Sequence, residues 1–528
     1  MNTRAVPALG TLAPPVARIL LALGLWQALA LLTSSTFILA GPVAVGGHIL
    51  GNAPLLVRAA LTTLQSAAIG FVIGNGLAIA LAVIAISLPR LERLVSGLAL
   101  LLFCLPFVAT GPILRVIHGV GDGPQIALAA LATYYTSYLC LMVGLRAAPA
   151  SWLDLVRSYG RGRFTELVRV RARACIPYFI AGLQIGAPAA FLGAMIGEFT
   201  GAERGLGVLS IRAMRALDVD MSWAIATLAA AISALAFWFF GWLGRRLDVA
   251  PPPLLIAPRQ DATSPSWGAG LLAALVQVVA ITALVLALWV GLMEALGLSP
   301  FFAKRPQDVL AFLVWAPDAA ANRSMLLLAF WQTLSLTVPG YLLGLALGAG
   351  LAVVMVLRPT LAATALPVAI ALRSIPIVTT APLIVLSLGR GAVGTITIVA
   401  VMIFFPTLAA CLEGMRRTPR PVLDIFDSYA AGPWQLLVHA QLPAMAPALF
   451  AAARMAVPAA LLAATTAEWL ATGTGMGSLM ALTASTSNYA LLWSAIVLLA
   501  VTASIAYGLV QLLERRMLQI FASEQLTL

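Results

Sequence analysis

Charged residues make up only 9% of this 528-residue chain, whereas 62% of it is hydrophobic. A water-soluble protein needs a polar shell that so few charges cannot build. Lysine is almost absent, with Lys304 its one example, in Phe302-Ala303-Lys304-Arg305. A phosphate-binding P-loop needs a lysine behind a run of glycines, so a standard ATP site of that kind is excluded. Histidine is limited to His48, His118 and His439, too scattered to share a metal ion. The four cysteines, Cys104, Cys140, Cys175 and Cys411, sit in or beside apolar runs, and no CxxC occurs. They read as small packing residues rather than as a disulfide or metal set. Nowhere do His, Asp, Glu or Cys cluster as an embedded enzyme would require. Neither a cofactor nor a metal is expected.

What the chain has in abundance is long apolar runs, reflected in a mean hydropathy of +1.01. A helical membrane span takes about 20 such residues. Twelve spans are expected, at 16–38, 60–86, 93–114, 126–145, 175–198 and 222–246, then at 269–295, 331–357, 361–386, 393–412, 445–468 and 491–514. The run at 19–32 has no clear small-residue cleavage site after it, so it reads as the first span rather than as a signal peptide. The fold class is therefore all-α and polytopic, with both termini on one side. Loops on that side carry about twice as many basic residues as loops on the other, which places both termini in the cytoplasm. The net charge of +12 is thus a cytoplasmic-loop signature and needs no nucleic-acid partner.

Shifting the sequence by 270 residues aligns its halves without a gap from Thr63 to Arg246. Thr63 falls on Thr333, Gly70 and Gly74 on Gly340 and Gly344, Pro106 on Pro376, and Pro112 on Pro382. Asp154 falls on Asp424, Tyr159 on Tyr429, Glu198 on Glu468, and Gly205 and Gly207 on Gly475 and Gly477. Glycine, proline and isolated carboxylates set backbone geometry and in-membrane cost, so shared positions imply a shared fold. Six spans is an even number, so the two copies face the same way, as a parallel repeat. The units run over 1–250 and 269–528, joined by a cytoplasmic linker at 251–268. Transporter folds of this symmetry place their path between the halves.

The longest cytoplasmic connections within each unit are about 146–175 and 415–445. Each reads as a short amphipathic helix, a turn near Gly160–Gly162 or Gly432-Pro433, and a second helix entering the membrane. Such a helix either lies on the membrane surface or docks in the groove of a cytoplasmic partner. Asp154-Leu155-Val156-Arg157-Ser158-Tyr159-Gly160 resembles the start of the "EAA…G…LP" loop of ABC importer permeases, and Asp424-Ile425-Phe426 through Leu442-Pro443 resembles a second copy. Gly197-Glu198-Phe199 through Gly207, and Ala467-Glu468-Trp469 through Gly477, resemble the "AE…GA…GLG" segment of the nitrate/sulfonate/taurine type. Leu372-Arg373-Ser374-Ile375-Pro376 is similar to that type's "LRAIP…P" pattern. The copies depart from the pattern differently: the family glycine is Gly160 but Ala430, and "LP" is Leu442-Pro443 but Ala172-Arg173.

The resemblance implies a type I importer transmembrane fold with two permease domains fused in one chain. It implies two cytoplasmic ATP-binding subunits, docked through Asp154, Tyr159, Gly160, Phe164, Asp424, Tyr429, Trp434 and Pro443. It also implies a periplasmic or lipid-anchored solute-binding protein, membrane lipid around the pore, and a small anionic or polar solute. An ion-coupled secondary carrier is the alternative, but it needs ionisable groups deep in the spans, and few are evident. Candidates for the path or gate are Glu198, Glu468, Arg373, Arg454, Pro106 and Pro376. Glu198 and Glu468 read as caps of the glycine-rich segment that follows, or as gate or binding-protein contacts. Arg373 and Arg454 read as scaffold charges or as attractors of an anion; at the offset of 270 they meet Phe103 and Gln184, so neither is duplicated. The prolines read as kinks or as backbone lining a pore.

Overall fold

In lipid a backbone must satisfy its own hydrogen bonds, which for a chain of this pattern means helices. The computed structural model describes residues 15–32, 39–105, 107–119, 121–247, 267–358, 381, 384–385, 387–389 and 391–521, and among them every regular element is helical. The first half runs through α1 (Pro15–Leu32), α2 (Pro42–Gly51), α3 (Ala53–Ser87), α4 (Pro89–Phe103), α5 (Phe107–His118) and α6 (Gly123–Arg146). It continues through α7 (Ala150–Ser158), α8 (Arg163–Phe199), α9 (Leu206–Arg215) and α10 (Val219–Arg246). The second half has α11 (Trp267–Ala295), α12 (Ala319–Leu357), α13 (Ala392–Arg416), α14 (Arg420–Ser428), α15 (Pro433–Leu470), α16 (Gly475–Ser485) and α17 (Tyr489–Phe521).

Nine helices among the described residues are long and apolar enough to cross a membrane, and they fall on nine of the twelve expected spans. The tenth, 16–38, begins as α1, with 33–38 outside the described residues. The eleventh, 93–114, is not one helix: α4 ends at Phe103 and α5 begins at Phe107. The twelfth, 361–386, lies almost wholly outside the described residues, as do Arg373, Pro376 and Pro382. Pro106, between α4 and α5, is outside them too, as is most of the expected linker. Helix α2 is an element the apolar-run reading does not anticipate, because ten residues are too short to register as a span.

Each half is built on three tightly packed helices, α3, α6 and α8 in the first and α12, α13 and α15 in the second. Small residues permit this close approach, since lipid supplies no hydrophobic drive between helices. Gly70 and Gly74 sit against the backbone of Ile126 and Ala130, and Gly193 and Gly197 against that of Leu128 and Gln125. Gly340, Gly344 and Gly348 form the matching stripe against Val399, Ala400 and Phe404. On the outer faces of α3 and α12, Leu61, Val72, Leu328 and Trp331 are exposed, as lipid-facing side chains are. Among the described residues the two halves pack directly against each other. Leu128 and Ile196 share a buried cluster with Ile398, Ala456 and Ala463, and Cys104 and Ile113 share another with Met476 and Leu492.

Candidate functional site

The two docking-loop candidates have one architecture. Helix α7 starts behind Pro149 and α14 behind Pro419, and each runs nine residues. A turn through 159–162 or 429–432 then leads into α8 or α15, whose early turns widen into π-helix at Glu166–Arg171 and Leu437–Gln441. Both loops hold a pair of aromatic side chains outward. Tyr159 is 76% exposed and Phe164 78%; their counterparts Tyr429 and Trp434 are 82% and 64% exposed. Leu155 and Ile425 extend the same apolar surfaces. Asp154 and Asp424 are exposed on the helices, and Pro443 is half-buried where α15 begins its run inward.

The turn needs a left-handed residue, and the two copies meet that need differently. Gly160 takes φ 66° without a Cβ to strain, whereas Ala430 takes φ 50° with one. A left-handed L-residue costs roughly 1–2 kcal/mol. Ala430→Gly is therefore expected to raise stability by about 1 kcal/mol and Gly160→Ala to lower it by as much, measured by thermal unfolding of the purified chain. The first loop has a clip the second lacks. Arg157 Nε donates to Glu166 Oε1 at 2.8 Å across the turn, and Asp154 lies 3.5 Å from the same guanidinium. The hydrogen bond to Glu166 pushes the Arg157 pKa up.

Toward the opposite end of the long helices, Glu198 and Glu468 are buried and each closes a polar knot. Thr63 Oγ1 donates to Glu198 Oε1 at 2.6 Å, and the Gly207 N–H donates to Glu198 Oε2 at 2.6 Å. The Leu206 N–H in turn donates to Thr63 Oγ1 at 2.9 Å. In the second half Thr333 Oγ1 and the Gly477 N–H donate to Glu468 Oε2 at 2.9 and 2.8 Å, and Met476 N–H to Thr333 Oγ1 at 2.8 Å. Each carboxylate thereby pins the first turn of α9 or α16, where unpaired N–H groups point along the helix. Gly205 and Gly475, at φ 129° and 84°, lie against these carboxylates, and a Cβ at either would strike them. Neither threonine is distinctive in sequence, yet the repeat places both in one register.

Residues 74–249, and again residues 340–519, match the family of binding-protein-dependent transport system inner membrane components, together more than half of the chain. The chain belongs to this family. It is 28% identical over 223 residues to a Haemophilus influenzae protein described as "Probable ABC transporter permease protein", covering 42% of this chain and 91% of that one. It is 31% identical over 157 residues to the riboflavin transport system permease protein RibX of Chloroflexus aurantiacus, covering 30% of this chain and 59% of RibX. To the formylaminopyrimidine transport permease protein ThiX of Halalkalibacterium halodurans it is 26% identical over 205 residues, covering 39% and 82%. No solved structure matches significantly. The chain is accordingly a multi-pass membrane permease carrying its family domain twice, the pore subunit of an ATP-binding-cassette importer of small solutes.

Within this permease the halves also differ at Arg454. It is buried on α15, and its Nη1 lies 2.8 Å from Glu514 Oε2 on α17. Its guanidinium also stands 5.6 Å from the centre of the Tyr507 ring, whose hydroxyl lies 3.5 Å from that of Tyr135 in the first half. At the offset of 270, Gln184 and Gly244 occupy the positions of Arg454 and Glu514. Glu514 was beyond reach of the apolar-run reading, which ends the last span at that residue, while α17 continues to Phe521. Paired in this way, Arg454 presents no net charge to a passing anion. Its geometry supports the scaffold reading.

Proposed function

We propose that one chain supplies both halves of the importer's pore, its units at 1–250 and 269–528 each docking one of two separate ATPase subunits through the 150–164 and 420–434 loops. The observation that supports this most is the duplication of exposed aromatic anchors, Tyr159 with Phe164 and Tyr429 with Trp434, on loops of one shape. Large unpartnered aromatics at the tip of a short helix are the side chains that anchor a helix in a partner's groove. ATP is bound and hydrolysed on those partners, since the sequence has no lysine to complete a P-loop of its own. Both termini and both loops face the cytoplasm, where the basic residues concentrate. A solute-binding protein delivers a small polar or anionic solute at the other face. The relatives named for riboflavin and formylaminopyrimidine mark the size and polarity of that class.

The test is co-purification with the ATPase subunits after changing the anchors. Tyr159→Ser with Phe164→Ser, or Tyr429→Ser with Trp434→Ser, is expected to weaken ATPase association at least about tenfold, because buried aromatic anchors carry most of an interface's energy. The substituted side chains are exposed, so the thermal midpoint is expected to stay within the range of the unaltered protein. Undiminished co-purification and uptake in both double variants would refute the assignment.

A further inference from the structure

The two docking loops match in shape and disagree in charge. The first carries Arg157, Arg161, Arg163, Arg169, Arg171 and Arg173 against Asp154 and Glu166. At the same six positions the second has Asp427, Ala431, Pro433, His439, Gln441 and Pro443. Arg420 is the lone arginine between 420 and 443, against Asp424 and Asp427. All the first loop's arginines except Arg171 are exposed, and Arg171 is spent on the Leu145 carbonyl at 2.9 Å. Arg157 is held by Glu166. Arg161 stands on the turn and Arg163 opens α8, between Tyr159 and Phe164, whose rings are exposed. A partner that covers those rings must also cover these two charges.

We infer that the first loop is the charge-selective docking site, fitting an acidic groove on the ATPase, while the second docks without that basic charge, through its apolar side chains. This rests on the docking reading above. Complementary charge beside a groove speeds encounter, adds affinity and is screened by salt. A partner groove acidic enough to suit Arg161 and Arg163 meets only Ala431 and Pro433 at the second loop, with Asp427 nearby. The two halves of the pore therefore hold their ATPases with different strength and different salt sensitivity. Lipid headgroups would attract Arg169 and Arg173, which lie on the helix entering the membrane, more readily than the turn between the aromatic anchors.

The experiment uses the full chain in nanodiscs of neutral phosphatidylcholine and the ATPase that co-purifies with it from native membranes. Binding is measured at low and physiological salt for the unaltered chain, for R161A with R163A, and for D424N with D427N. The expected result is a loss of about tenfold at low salt for the arginine variant, with a flatter salt dependence, and a change of less than about twofold for the aspartate variant. Equal effects in the two variants, or an unchanged salt dependence without the arginines, would overturn the inference. So would an arginine effect that emerges only when anionic lipid is added, which would assign these charges to headgroups. If the unaltered chain binds no ATPase at all, the docking reading itself fails, an outcome distinct from the others.

Discussion

Glu468→Ala is expected to cost about 3 kcal/mol of stability, and Glu198→Ala a similar amount. Each substitution removes a carboxylate from a buried site, leaves a helix N-terminal N–H without its acceptor and leaves a threonine hydroxyl with only a carbonyl of its own helix. In the first half these are Thr63 and Gly207, at 2.6 Å each; in the second, Thr333 and Gly477, at 2.9 and 2.8 Å. The loss reads out as a lower midpoint in thermal unfolding of the purified permease, with falling yield. Glutamine separates the structural role from a role in transport. Its carbonyl can accept from the glycine N–H. In the first half its amide then faces Thr63 Oγ1, which donates instead to Ala59 at 3.1 Å; in the second half Thr333 and Gly477 share Oε2, so one carbonyl accepts from both. Glu198→Gln and Glu468→Gln are therefore expected to retain most stability and most uptake. A glutamine variant that unfolds normally but no longer transports would show that the negative charge serves the gate rather than the cap.

These knots also mark the boundary of what the sequence makes legible. The repeat is readable because glycines, prolines and isolated acids recur at one offset, and residues of those kinds tolerate little change of backbone. Helix positions follow from apolar length, and the docking loops from the one stretch in each half where charged and apolar residues alternate at helical spacing. Glu198 and Glu468 stand out as duplicated carboxylates beside duplicated glycines. Their partners do not: Thr63 and Thr333 lie 135 residues away, and a hydrogen bond over that distance leaves no local pattern. The same threonines open the gapless alignment, so the signal was present as register rather than as chemistry. The break between α4 and α5 is signalled by Pro106, which reads as a kink in the third span, but not by hydropathy. Apolar composition continues across it, and hydropathy cannot distinguish one span from two short helices meeting at Cys104-Leu105. Glu514 is obscured by Arg515 and Arg516, which make the end of the last span look like an ordinary charged boundary.

Glu514 is where the second large effect is expected. Glu514→Ala strands the Arg454 guanidinium in a site where it is 4% exposed and its Nε has no hydrogen-bond partner among the described residues. Removing one member of a buried pair costs about 3–5 kcal/mol, whereas removing both is often nearly neutral. The first half supplies the precedent, since the equivalent positions hold Gln184 and Gly244 in the same framework. Adding Arg454→Gln to Glu514→Ala is thus expected to recover most of the stability that Glu514→Ala loses, although two substitutions have then been made in place of one. A double-mutant cycle on thermal unfolding measures the coupling. Additive losses would mean that the two side chains stabilise the seam separately and that the 2.8 Å contact contributes little. Strong coupling together with normal uptake in the double variant would identify the pair as an internal brace of the second half, next to the Tyr507–Tyr135 contact that joins it to the first. Strong coupling with lost uptake would give the pair a role in transport itself, because a pair that only held the resting fold together could be replaced by its uncharged counterpart without stopping transport.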